Sequence, residues 1–379
     1  MAYFALLGLF LFFLPITKKT DVKNIITFGY IVLLLFASFR FGIGADYFSY
    51  NRLFSLSPEH ISDFTLAKAL LIGIEPGFAL LMTGFKSFGL SYSYFIAFCA
   101  FVSLSLIIYT IQNYSYNKTA SFFIFFANYY MVYIESVLRQ SIAMAIFIYA
   151  FFDYITGRRG LKYIFLILIA MTFHVTAAIT LIVPLGIKIS KKIFINPLSI
   201  IILTMAALTV SFIIPRILSA TVSGFYSKAA YYIKDSSFKL NLLPIGLRIL
   251  EMIFVYHFFR TTHAKLSNME TACAKMFFIG ILFYFSLSSI DVFSRLTEYF
   301  MFIEIALIPN LLRYFSKKAR TKYYAVFSCL FIMLFLKDMH AITFHRQLKS
   351  HNILTYQYIT IFNKEKINSV VSTPVPIEN

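Results

Sequence analysis

Apolar runs of helical length recur along almost the whole chain, separated by short polar breaks, from Tyr3 to His340. A helix rises about 1.5 Å per residue, so roughly 20 apolar residues cross a hydrocarbon layer about 30 Å thick. In lipid every backbone N–H and C=O must be satisfied internally, and unbroken apolar runs do this as helices, not as the alternating strands of a barrel. Sixty per cent of the 379 residues are hydrophobic and 13% are charged, which leaves no stretch for a soluble catalytic module. The expectation is an all-α, polytopic integral membrane protein with one membrane domain over residues 1–345 and a C-terminal tail over 346–379. Met1 to Pro15 has no positive leading region and no small-residue cleavage site, so it reads as a retained first helix.

The formal net charge of +18 is spread in short clusters between apolar runs and not gathered in one basic domain. That pattern excludes a nucleic-acid module and fits a lipid bilayer with anionic headgroups, or a phosphate-bearing substrate. Cys99, Cys273 and Cys329 all fall in apolar stretches without CxxC spacing or a neighbouring His pair, so neither a disulfide framework nor a metal site is expected. Gly42-Ile-Gly44 lacks the third glycine and the strand of a dinucleotide fingerprint and reads as a turn. No cofactor is expected.

Short loops rich in Lys and Arg stay in the cytoplasm. Here they are Lys18–Lys23, Arg158–Lys162, Lys188–Lys192, Arg260–Lys265 and Arg313–Lys322. With all five inside, helices are expected at 2–16, 24–40, 92–112, 119–134, 138–155, 193–214, 244–260, 271–289, 296–313 and 322–340. Glu75-Pro76-Gly77-Phe78 to Gly89 is too short to cross and is expected to be a re-entrant or interfacial helix, with Pro76 in its first turn and Glu75 at its positive end. Leu161–Ile187 is expected to be a hairpin of two short arms with His174 at its outer tip. Counting those arms gives about 12 crossings. Both termini then lie outside, together with long loops at about 41–91 and 215–243. Within the second loop, Tyr226–Lys239 mixes tyrosines with lysines, as an amphipathic interfacial stretch or a saccharide surface does.

Arg40, Asp46, Glu75, Glu135, Arg139, His174, Asp291, Arg295 and Glu298 all fall at or beside outward helix ends. Ionisable groups at such depth are expensive and are candidate functional residues. A plainer reading stands beside each. Glu135 with Arg139, and Asp291 with Arg295, have the i, i+4 spacing of ordinary helix ion pairs, worth about 0.3–0.5 kcal/mol. Glu75 beside a proline is also a plain helix cap, and a lone His174 in an apolar run is also a hydrogen-bonded structural residue. The arginines weigh towards function, because a guanidinium presents a rigid fork of donors matched to phosphate oxygens.

Taken in order, Arg40 then Gly44-x-Asp46-x3-Tyr50, Glu75-Pro76-Gly77-Phe78, Arg139-Gln140-Ser141, Phe173-His174 and Arg295-x3-Tyr299 form a pattern. It resembles the EpsG-like branch of the Wzy polysaccharide polymerases, over about residues 24–315. The resemblance implies a glycosyltransferase of the bacterial inner membrane that joins oligosaccharide repeat units carried on undecaprenyl diphosphate at the periplasmic face, without a nucleotide sugar. It also implies a polysaccharide chain-length regulator as a partner. Where the family's arginine is followed directly by an aromatic residue, this chain has Arg295-Leu296, with Tyr299 one turn on.

Transfer of a glycan from a lipid diphosphate needs groups that hold the departing diphosphate, and Arg40, Arg139 and Arg295 can do so. An attacking sugar hydroxyl is helped by a positioned base, for which Glu75, His174 and Asp46 are candidates. Imidazole suits proton transfer near neutral pH, whereas a carboxylate can also steady oxocarbenium charge. The acid or base role falls first on Glu75 and His174, with Asp46 orienting the acceptor. The resemblance adds Tyr50, Gln140 and Tyr299 as substrate-binding residues. Two rival readings remain at this level: a lipid-linked oligosaccharide flippase, and a ligase of the O-antigen type. Transporters place charged sites near the midplane and show repeated halves. Here the charges gather at one face, without a visible repeat.

Overall fold

A computed structural model describes residues 2–15, 19–157, 159–221, 242–289, 291–345 and 357–370, with side chains outside the description at 19, 214–221, 291–294, 343–345 and 370. Among these residues the fold is helical and contains no β-strand, only an isolated antiparallel bridge between Arg40 and Thr360. The chain is a membrane protein: six helices are long and apolar enough to cross a bilayer. They lie within α2 (Lys19–Phe39), α6 (Tyr92–Tyr114), α8 (Leu138–Gly157), α13 (Leu242–Thr262), α14 (Asn268–Leu287) and α17 (Lys317–His345). Shorter apolar helices are α1 (Ala2–Phe13), α9 (Gly160–Phe173), the stretch Val175–Gly186 and the first part of α12 (Pro197–Thr221). A count of about 12 crossings is reached only if such short arms are added to the six.

Several elements differ from the sequence-based expectation, each for a local reason. The segment expected as one helix at 119–134 is α-helical only as α7 (Lys118–Phe125) and continues as a π-helix over Phe126–Ile134. The expected helix 296–313 starts earlier and is broken into α15 (Asp291–Met301) and α16 (Glu304–Leu312), with Pro309 inside the second. Proline removes a backbone donor and crowds the preceding turn, which limits how long such a helix can run. The expected helix at 193–214 is split at Asn196 into α11 (Lys191–Ile195) and α12, because Pro197 opens the second. The outer loop 41–75 is largely helical, with α3 (Tyr47–Leu56) and α4 (Leu66–Ile72). The loop at 215–243 and the tail at 346–379 lie outside the described residues over 222–241, 346–356 and 371–379.

Two expectations concern the elements that carry the candidate site. Pro76 opens α5 (Pro76–Ser87) and Glu75 is its N-cap, with α4 and α5 meeting at a bend of 102°. At 12 residues α5 spans about 18 Å, too little to cross on its own. The Leu161–Ile187 segment does double back: α9 ends at Phe173, His174 is extended, and a 3₁₀ arm over Val175–Ile182 returns alongside, then α10 (Val183–Gly186). The Tyr163 hydroxyl donates to the Thr180 carbonyl at 2.7 Å, which ties the start of one arm to the other.

Two apolar cores hold the helices. The larger is rich in phenylalanine, with Phe122, Phe125 and Phe126 packed against α1 and α2 residues such as Phe10 and Leu33. The smaller lies under α3 to α5, where Tyr47, Tyr50, Phe54, Phe78 and Met82 meet Phe95 and Cys99 of α6 and Leu138 and Ile142 of α8. Tyr47, Tyr50 and Phe54 recur at i, i+3 and i+7, which places them on one face of α3. This smaller core fixes the outer helices onto the membrane bundle.

Candidate functional site

The outer cluster is built where α5, α8 and the hairpin tip meet. Glycine makes the approach possible at two places. Gly44 has φ +100°, and a Cβ there would overlap the carbonyl oxygen of Glu135. The Gly42–Asp46 turn can therefore lie flat on the turn before α8, where Ala45 N donates to Ser136 Oγ at 3.2 Å. A Cβ on Gly77 would likewise overlap Thr172 near the end of α9. Gly77 thus lets the start of α5 press against the hairpin, and this brings Glu75 to His174.

Three side chains from distant segments then form one bonded chain. Arg139 Nη1 meets Glu75 Oε2 at 2.6 Å, and His174 Nδ1 meets Glu75 Oε1 at 2.9 Å. Val175 N also donates to Glu75 Oε1, at 3.3 Å. Behind the guanidinium, Arg139 Nε donates to the Tyr50 hydroxyl at 3.4 Å, and the guanidinium carbon lies 5.8 Å from the Tyr50 ring centre. The three keep partial access to solvent, with side-chain exposures of 26% for Arg139, 18% for His174 and 14% for Glu75.

The electrostatics of Glu75 follow from these contacts. Burial on its own raises the carboxyl pKa. The hydrogen bond from His174 and the charge of Arg139 together outweigh burial and hold it at about 2. Glu75 is therefore an anion at neutral pH. An anion accepts, so His174 Nδ1 is assigned as the donor and Nε2 carries the free lone pair. Burial, as the largest influence, pushes the Tyr50 phenol up, and it stays a neutral hydroxyl.

A second ring of contacts joins α15 to the same place. Gln140 Nε2 donates to the Arg295 carbonyl at 2.8 Å. The Tyr299 hydroxyl is 3.1 Å from Thr176 Oγ1, two residues past His174. Tyr50, Gln140 and Tyr299 are themselves buried, so in this structure they brace the site from behind. The Arg295 side chain is exposed, on the element bonded to the neighbour of Arg139. Asp46 is half-buried at the start of α3, one turn before Tyr50, and its charge acts on the Tyr50 phenol.

Arg40 stands apart. It is 1% exposed and donates to the Ala37 carbonyl. The C-terminal segment covers it: Phe41 N donates to Ile359 O at 2.8 Å, and Tyr358 donates to the Phe36 carbonyl. The structure thus gathers Tyr50, Glu75, Arg139 and His174, sets Gln140, Tyr299 and Arg295 beside them with Asp46 close by, and buries Arg40 under another element.

The i, i+4 reading of Glu135 with Arg139 is also replaced. The π-helix ends at Ile134 and α8 begins at Leu138, so the two residues do not share a helix. Glu135 accepts from the Tyr3 hydroxyl, and Arg139 turns to Glu75 instead. Asp291 has its side chain outside the description. Glu298 joins a separate internal group with Arg248, Glu251 and Glu304. The last three went unnoticed in the sequence, although Arg248 and Glu251, three apart in an apolar run, were a readable signal. Among the described residues no group of three or more His, Cys, Asp or Glu side chains is arranged to hold a metal ion.

Comparison with known proteins gives one result. No curated protein and no solved structure matches the chain. The model of the EpsG family matches residues 23–358, a stretch that includes the outer cluster and all six long apolar helices except the start of α2. The chain therefore belongs to the EpsG family of polysaccharide polymerase-type membrane proteins.

Proposed function

We propose that this protein is a glycosyltransferase of the bacterial inner membrane that polymerises oligosaccharide repeat units carried on undecaprenyl diphosphate, with its site at the periplasmic face. The observation that carries the reading is the Arg139–Glu75–His174 chain of bonds, which joins a phosphate-binding group to an oriented imidazole at a partly open surface. In the proposed reaction the acceptor sugar hydroxyl attacks the anomeric carbon of the donor. The bond from that carbon to the diphosphate oxygen breaks, and the lipid diphosphate leaves with its electron pair. His174 Nε2 takes the hydroxyl proton. Glu75 keeps the ring in the required orientation and tautomer, and its low proton affinity fits that role better than the role of base.

Arg139 and Arg295 neutralise the departing diphosphate. A guanidinium has five N–H donors, and the bonds to Glu75 and Tyr50 engage two of those on Arg139. Asp46 orients the acceptor from the α3 side. The five positive loops support the periplasmic orientation, since they are kept inside when the cluster faces out.

Deletion of the gene and inspection of the surface polysaccharide distinguish this reading from its rivals. A polymerase mutant leaves single repeat units on the final acceptor. A flippase mutant leaves none there, and a ligase mutant accumulates polymer on the carrier lipid. Arg139→Ala and Arg295→Ala are expected to reproduce the single-unit phenotype at unchanged protein level. Polymer of normal length from both variants removes the assignment of the diphosphate-holding groups.

A further inference from the structure

A second charged cluster lies inside the bundle, between the π-helix, α13, α15 and α16. Arg248 Nη1 is 2.6 Å from Glu251 Oε2 and 3.6 Å from Glu304 Oε2, while its Nη2 is 3.6 Å from Glu298 Oε2. Asn128 Nδ2 and the Tyr129 hydroxyl both donate to Glu304 Oε1 at 2.7 Å. Side-chain exposure is 5% for Arg248 and 0% for Glu251 and Glu304, with Glu298 at 15%. The other ionisable groups facing the cluster are Tyr284 of α14, 5.9 Å from the guanidinium, Tyr133 of the π-helix, and the Lys337–Asp338 ion pair of α17, which acts on Glu298.

Three carboxyl groups thus surround one guanidinium in a dry interior. The Glu251 and Glu304 carboxyls are within hydrogen-bonding reach of each other. Glu251 Oε1 and Glu304 Oε2 are both buried and accept no hydrogen bond from any described donor. Two carboxylates cannot face each other without water unless a positive species lies between them, and a single shared proton is the smallest that does so. Glu304 Oε1 is already saturated by two donors, which leaves Oε2 as the oxygen turned to that role.

We propose that Glu251 and Glu304 bind one proton between them, which makes this cluster a buried proton-binding site inside the membrane domain. The site stands whether or not the outer cluster joins sugars. It also touches that cluster mechanically: α15 offers Glu298 to Arg248, and the same helix bonds through Tyr299 to Thr176 and through the Arg295 carbonyl to Gln140. Gain or loss of the proton changes the charge against which α15 is held.

The test is infrared spectroscopy of the full-length protein in lipid nanodiscs. A protonated-carboxyl stretch is expected at neutral pH, shifted in D₂O and lost in Glu251→Gln and in Glu304→Gln alike. Glutamine keeps the volume and places an N–H where the proton stood, so each single variant is expected to fold, and either one alone suffices. Absence of the band in the unaltered protein, or its persistence in the variants, overturns the proposal. So does a thermal midpoint that rises with sodium at constant ionic strength and loses that rise in Glu304→Gln, which assigns the position to a metal cation.

Discussion

The Arg139 cluster and the Arg248 cluster use the same residue types in opposite proportions. Around Arg139 there is one bonded carboxylate, one imidazole and partial access to solvent. Around Arg248 there are three carboxyl groups, and the two most buried of them are fully enclosed. An arginine with a single carboxylate partner and free donors can accept a phosphate. An arginine outnumbered by buried carboxyls is fully committed, and its loss leaves charges with no solvent to turn to. Burial and charge balance, not the presence of an arginine, therefore separate a site that works on a large external substrate from one that holds helices and a proton.

The comparison breaks most readily at Arg248. Arg248→Met fills the volume but strands the acidic groups, and a loss of about 3–5 kcal/mol is expected, read as a lower thermal midpoint and reduced folded protein in the membrane. Arg139→Ala is expected to do the reverse, with folded protein maintained and chain extension lower by about 10²–10³-fold. Equal loss of stability in both variants removes the distinction between the clusters.

Smaller effects sharpen the outer site. Glu75→Gln keeps the shape but loses the anion that orients His174, and extension is expected to fall about 10–100-fold. The same change gives a pH signature. Glu75 has a folded-state pKa near 2, below its ordinary value of 4.5, so its ionised form stabilises the fold above pH 4.5 and that contribution is lost as pH falls towards 2. The unaltered protein should exceed Glu75→Gln in stability by about 1–2 kcal/mol at neutral pH, with the gap closing across that window. Tyr50→Phe removes only a 3.4 Å bond from Arg139 Nε, and a change of about 0.5 kcal/mol, or roughly twofold in rate, is expected.

Much of the outer site was legible as residue types at helix ends. Pro76 after Glu75 marked a helix start, and the positive loops required the Leu161–Ile187 segment to double back, which put His174 at a tip. The pairing was not legible. Local spacing joined Arg139 to Glu135, but the π-helix between them uncouples the two, and Arg139 reaches a carboxylate 64 positions earlier. Nor does sequence spacing reveal that the C-terminal segment lies over Arg40, since that contact joins Phe41 to Ile359. The Arg248 cluster was harder still, because its members come from separate helices and each looks like an isolated interruption of an apolar run.

The most direct measurement is the length distribution of surface polysaccharide from cells whose only copy of the protein carries His174→Ala, with the amount in the membrane verified. The expected result is a collapse to single repeat units, since the base is removed while the Arg139–Glu75 pair remains. Polymer of undiminished length at equal protein level would contradict the account.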